Sequence, residues 1–133
     1  MEESIFTKII KGDIPCHKIY EDDKTIAFLD IHPLVAGHML VVPKVQVDDF
    51  ERLTAEDYQA VFATVHLLAK RLKAVTGARK SIIMVLGFDV PHAHVHILPG
   101  NSAHEFYEAL ENRDKTEEPD LIALAEMAKK LKV

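Results

Sequence analysis

Apolar and polar positions change period several times along this chain, and each change marks an element. FTKIIKGDIP, 6–15, is a short apolar turn or helix, closed by Gly12-Asp13 and stopped by Pro15. HKIYEDD, 17–23, reads as a strand running into an acidic turn, and TIAFLDI, 25–31, as a second strand rich in β-formers. HPLVAG is a loop by its proline and glycine. HMLVVP, 38–43, is a third strand whose nearly unbroken apolar run predicts cover on both faces. Residues 54–76 form the clearest helix. Tyr58, Val61, Phe62, Val65, Leu68, Leu72 and Val75 recur at three- and four-residue steps, Thr54 suits the N-cap, and Gly77 suits the position after the last turn. SIIMVLG, 81–87, and HAHVHILP, 92–99, read as two further strands joined by the tight connection FDVP.

A short helix over 104–112 and a last helix over 119–132 follow, separated by the polar ENRDKTEEP, which reads as a mobile loop. Strands, one long helix, two strands and then helices make an α+β pattern with a mainly antiparallel, five-stranded sheet. The chain reads as one domain over 1–133, with a core at about 4–100 and a helical extension at about 101–133.

Composition narrows the class. The 133 residues are 48% hydrophobic and 28% charged, the mix of a soluble globular protein. One cysteine, Cys16, permits no internal disulfide, argues against a cysteine-based zinc site and fits a reducing, cytoplasmic compartment. MEESIFTKIIKGD starts with acids and lacks the apolar run of a signal peptide, and no stretch is long enough for a membrane span. A net charge of −5 argues against a nucleic-acid partner but leaves room for a small nucleotide in a local pocket.

Eight histidines is many for this length, and three of them, His92, His94 and His96, alternate with apolar residues in VPHAHVHILP. On a strand they would share one face, about 7 Å apart at roughly 3.3 Å of rise per residue. Packing explains three aligned imidazoles poorly, since each needs a partner when buried. Two of them could share a zinc ion, but a straight row suits a tetrahedral site badly. The remaining alternative is nucleophilic catalysis at phosphorus, with neighbouring imidazoles supporting the attacking one.

HAHVHIL, 92–98, together with SIFTKIIKGDIPCHKIYEDDKTIAFLDIHPLVAGHMLVVPK, 4–44, resembles the histidine-triad (HIT) family over about three quarters of the chain. The resemblance implies that His94 is the nucleophile, that His92 and His96 support it and contact phosphate, and that His38 is the family's fourth histidine. It implies that Asp30 binds the ribose hydroxyls and that Phe6, Ile9, Phe28, Leu29 and Ile31 line the base pocket. It further implies a homodimer with a continuous sheet, and hydrolysis at the α-phosphorus of dinucleoside polyphosphates or nucleoside phosphoramidates, releasing a nucleoside monophosphate such as AMP. His96 stands where the family's nucleotidyltransferases carry glutamine, which favours a hydrolase.

Two departures from the family accompany this. GFDVP is a short connection that lacks the glutamine and hydroxyl residues with which related hydrolases hold phosphate; Asp89 and nearby backbone amides are candidate substitutes. Ser4, Thr7 and Gln46 stand where some members carry zinc ligands, so no structural zinc is expected, and no cofactor beyond Mg²⁺ brought by a polyphosphate substrate. A nucleotide-binding module with weak or no turnover, and a metalloenzyme using two triad histidines, are the alternatives.

Overall fold

The computed structural model describes residues 2–133. Helix α1 (Ile5–Ile10) is followed by strands β1 (Lys18–Glu21), β2 (Thr25–Leu29) and β3 (Met39–Pro43), then helix α2 (Ala55–Thr76). Strands β4 (Lys80–Met84) and β5 (Val95–Gly100) and helices α3 (Ala103–Glu111) and α4 (Leu121–Leu131) complete the order. The five strands form one antiparallel sheet in the order β1-β2-β3-β5-β4.

Strand alternation divides the apolar residues between two cores. Ala27, Leu29, Met39, Val41, Val95 and Ile97 face α2, where Val61, Val65, Leu68 and Leu72 meet them. Ile26, Phe28, Leu40 and Val42 face the other way and pack with Phe6 of α1. The central strands β2 and β3 are therefore buried along their whole length, as the unbroken apolar run of 38–43 predicts.

The long helix begins and ends where its sequence signals place it. The Thr54 hydroxyl accepts from the Asp57 N–H, and Gly77 closes the helix in the left-handed conformation at φ 69°. Of the two C-terminal helices, α4 packs into the core: its Leu124 and Leu131 join the α2 cluster, and Arg71 of α2 donates to the Lys130 carbonyl at 3.0 Å.

Three elements differ from the sequence reading. Strand β5 begins at Val95, so His92 and His94 precede it. The Ala93 N–H leaves the ladder for the Val47 carbonyl at 2.7 Å, and the His92 side chain takes the carbonyl of Pro43 at the end of β3. With Pro91 unable to donate, no ladder can form there. Strand β4 stops at Met84 for the related reason that the chain turns away, through Gly87 at φ 75°. The polar stretch after α3 is pinned to the body of the protein by Arg113 and Lys115.

Leu68 is fully buried between α2 and the sheet. Leu68→Ala is expected to lower the unfolding free energy by about 2–5 kcal/mol, seen as a lower urea midpoint with an unchanged m-value.

Candidate active site

On the sheet face opposite α2, α1 and the connection before β5 enclose a cavity of about 230 Å³. Phe6 and Ile9 enter from α1, Phe28 and Leu40 from the sheet, and Ile31 and Asp30 from the end of β2. His94 and His96 line it on the other side. Phe6 is the hinge of this wall: its ring meets Phe28 at 5.6 Å and His94 at 5.0 Å between centroids, both edge-on. Leu29 borders the cavity, but its side chain packs in the α2 core, because it has the parity of Ala27 rather than of Phe28.

The four histidines do not form a row. His92 is wholly buried under α1 and its ring does not line the cavity. Its Nε2–H donates to the Pro43 carbonyl at 2.8 Å, which leaves Nδ1 to accept the Ser4 hydroxyl at 2.7 Å. The His92 carbonyl in turn accepts from His94 Nδ1–H at 2.8 Å. That bond fixes the His94 tautomer and leaves the lone pair on Nε2.

A second chain of bonds orients His96. The Leu34 N–H donates to His38 Nδ1 at 3.1 Å, so the neutral His38 carries its proton on Nε2. That proton is donated to His96 Nδ1 at 2.9 Å, which puts the His96 proton on its own Nε2. His94 and His96 sit 5.1 Å apart between ring centroids. One presents a free lone pair and the other a free N–H, the complement a phosphoryl group needs for attack and for oxygen binding.

Burial keeps these rings neutral. It pushes His38 down to about 4, against the partial pull of the Asp30 carboxylate 3.8 Å away. It pushes His96 down to about 3, helped by positive charge on His38 or His94. His92 and His94 are also lowered, mainly by burial. His94 is therefore uncharged at pH 7.

The sequence reading missed Arg113, Lys115 and the role of Ser4. Arg113 Nη2 donates to Asp30 Oδ2 at 2.8 Å, and its Nε and Nη2 both donate to the His32 carbonyl. Lys115 pairs with Asp89, which lowers the Asp89 carboxyl. The available signal was two cations, alone in the otherwise acidic and neutral stretch 111–120.

The metal reading meets donors that are already engaged. Among the described residues, Asp30, His38 and His96 bring ligand atoms within 4.8 Å of one another. Yet the two imidazole nitrogens share a proton and Asp30 Oδ2 holds the Arg113 cation, which a divalent ion would have to displace. At the positions that hold zinc in some members, Gln46 Oε1 accepts from the Ser4 N–H at 2.8 Å and the Thr7 hydroxyl at 2.6 Å. Hydroxyls and an amide closed on one another suit protons, not Zn²⁺, which takes thiolate, imidazole or carboxylate.

Residues 11–103 match the HIT domain, and the chain belongs to that family. It is 33% identical to the adenylylsulfatase HINT3 of Arabidopsis thaliana over 102 residues, 73% of this chain; the match spans 52% of that protein, about half its length. A HIT-like protein involved in cell-cycle regulation from Bartonella henselae superposes with a TM-score of 0.83 at 31% identity, covering 97% of this chain and 93% of that one. A zinc-bound histidine-triad protein from Mycobacterium smegmatis superposes with a TM-score of 0.77 at 26% identity, covering 96% and 88%.

Because His38 and His96 titrate lower in the fold than the ordinary histidine value of 6.5, the unfolded chain binds their protons first as pH falls. Their stabilisation is complete above about 6.5 and is lost on acidification through 4 and 3. For His38 alone it is on the order of 3 kcal/mol. Urea unfolding at pH 7.5 and 4.5 is expected to show this loss, and His38→Gln, which cannot titrate, to flatten the slope.

Proposed function

We propose that this protein hydrolyses nucleotides at the α-phosphorus through a nucleotidyl-His94 intermediate. The observation that carries this reading is the His94 ring, held by the His92 carbonyl with its Nε2 lone pair unengaged, in a cavity that also holds a carboxylate and an apolar slot. Asp30 can accept both ribose hydroxyls. Phe6, Ile9, Phe28 and Ile31 offer an apolar bed for a purine base, with adenosine and guanosine nucleotides as the substrates. A relative named an adenylylsulfatase supports a nucleotide substrate.

The His94 Nε2 lone pair forms the N–P bond as the bond from phosphorus to the leaving group breaks. A polyphosphate departs as an anion, whereas an amine takes a proton from water. His94 then carries positive charge, which its Nδ1–H shares with the His92 carbonyl. His96 Nε2–H donates to a phosphoryl oxygen. Water next attacks phosphorus, the N–P pair returns to Nε2, and the nucleoside monophosphate leaves with one proton released to solvent. In this scheme His92 acts through its carbonyl and its anchoring bonds, and His38 by setting the His96 tautomer. The protein needs no metal of its own, and Mg²⁺ enters only with a polyphosphate.

His94→Ala is expected to lower kcat on phosphoramidate and dinucleoside polyphosphate substrates by at least about 10³-fold. Rapid quenching of the wild type should trap a nucleotidyl adduct on His94, and chelators should leave phosphoramidate turnover intact. Turnover unaffected by His94→Ala would remove the nucleophile assignment. Activity lost to a chelator and restored by zinc would favour a metalloenzyme. The short connection before the triad motivates a second reading, a nucleotide-binding module; AMP binding without turnover of either substrate would select it.

We also propose a homodimer built on β4. This edge strand and the turn after it leave Ile83, Val85, Leu86 and Phe88 exposed, Phe88 at 92%. An open apolar edge is a template for pairing with a second copy. Sedimentation should report a dimer for the wild type and a monomer for Ile83→Lys.

A further inference from the structure

Arg113 and Lys115 line the cavity from a segment distant in sequence from the triad. The Arg113 side chain is only 12% exposed. Its Nε–H and both Nη2–H groups are engaged by the His32 carbonyl and Asp30. The Nη1 group, with two further donors, bonds to nothing among the described residues. No buried side-chain nitrogen among the described residues lacks a partner, so Nη1 lies where solvent or a ligand can reach it. Lys115, half exposed, adds a second cation that is tied to the more exposed Asp89.

These donors answer a shortage on the opposite wall. The connection 87–91 reads Gly-Phe-Asp-Val-Pro and carries no side-chain N–H or hydroxyl, only the acid Asp89. With His94 and His96 neutral, the positive charge in the cavity comes from Arg113 and Lys115, balanced by Asp30 and Asp89. A planar guanidinium matches an oxyanion with paired N–H bonds, and one that is already pinned loses little freedom in doing so.

We infer that Arg113, assisted by Lys115, binds the anionic group attached to the α-phosphorus, making the segment after α3 a determinant of specificity for nucleotides with a charged leaving group. The inference rests on the cavity being a nucleotide site. It makes Arg113 a shared element: Nη2 braces the acid proposed to hold the ribose, while Nη1 receives the oxyanion. The oxyanion is a phosphate or a sulfate, since both present the same tetrahedral oxygens.

Calorimetric titration with adenosine, AMP and ADP, repeated in the guanine series, tests this directly. The wild type should bind the diphosphate at least tenfold tighter than the monophosphate. Arg113→Gln should bring the two within twofold of each other, with a smaller loss of nucleoside affinity as Asp30 loses its brace, and Arg113→Lys should recover part of the difference. Lys115→Met alters an exposed residue that does not threaten the fold, and should shift the same ratio about threefold. Adenylyl sulfate, titrated in a His94→Ala background, tests the sulfate arm: Arg113 dependence there as well as for ADP defines a general oxyanion seat, and for either alone names the group. An unchanged ratio in both variants overturns the inference. So does a loss of nucleoside affinity as large as that for the diphosphate, which would leave Arg113 only bracing Asp30. Arg113-dependent diphosphate binding without any turnover would sink the hydrolase reading and leave this one standing. Turnover with Arg113-independent binding would do the reverse.

Discussion

The bond from His94 Nδ1–H to the carbonyl of His92 is the constraint on which the site depends. It chooses one of two neutral tautomers and so decides which nitrogen keeps its lone pair. A carbonyl can do this only if its own residue is immobile. The His92 ring is clamped between the Ser4 hydroxyl, at the N-cap of α1, and the last carbonyl of β3. The orientation of the His94 ring is thus inherited from a helix cap and a strand end. The closed Ser4–Thr7–Gln46 network steadies the same corner.

Neutral, buried imidazoles are the second theme. Burying four histidines near one another costs stability as soon as they charge, because each would be poorly solvated and close to like charge. Each ring nitrogen of His38 and His92 therefore has a partner, and the linkage through His96 passes the tautomer choice outward to the cavity. Stability and chemistry ask for the same protonation state at neutral pH.

Much of this was legible in the chain. The stripe of α2, its Thr54 and Gly77 termini and the doubly covered run 38–43 are local patterns, and each became the element it predicts. The α+β class and the five-stranded antiparallel sheet followed from element order. Alternation in VPHAHVHILP put Val95 and Ile97 toward α2 and left His96 on the cavity face, but it overran the strand. Pro91 and the Val47 carbonyl end the ladder before His94, so His92 turns inward and contributes a carbonyl instead of a ring. Nothing in a two-residue period records that a distant carbonyl will take the Ala93 N–H.

Sequence alone determined the inventory: the imidazoles, the carboxylate at 30, the apolar walls, and the periods that sort residues between faces. These are properties of neighbours along the chain, where backbone geometry couples one residue to the next. Tertiary structure decided which nitrogen is free, which histidine touches the cavity, and that Arg113 reaches Asp30 across 83 positions of sequence. Those outcomes depend on partners brought together by burying the two faces of the sheet. A polar stretch such as ENRDKTEEP looks the same from sequence whether it waves in solvent or closes on an acid. Only the folded positions of Asp30 and the His32 carbonyl make the second arrangement favourable.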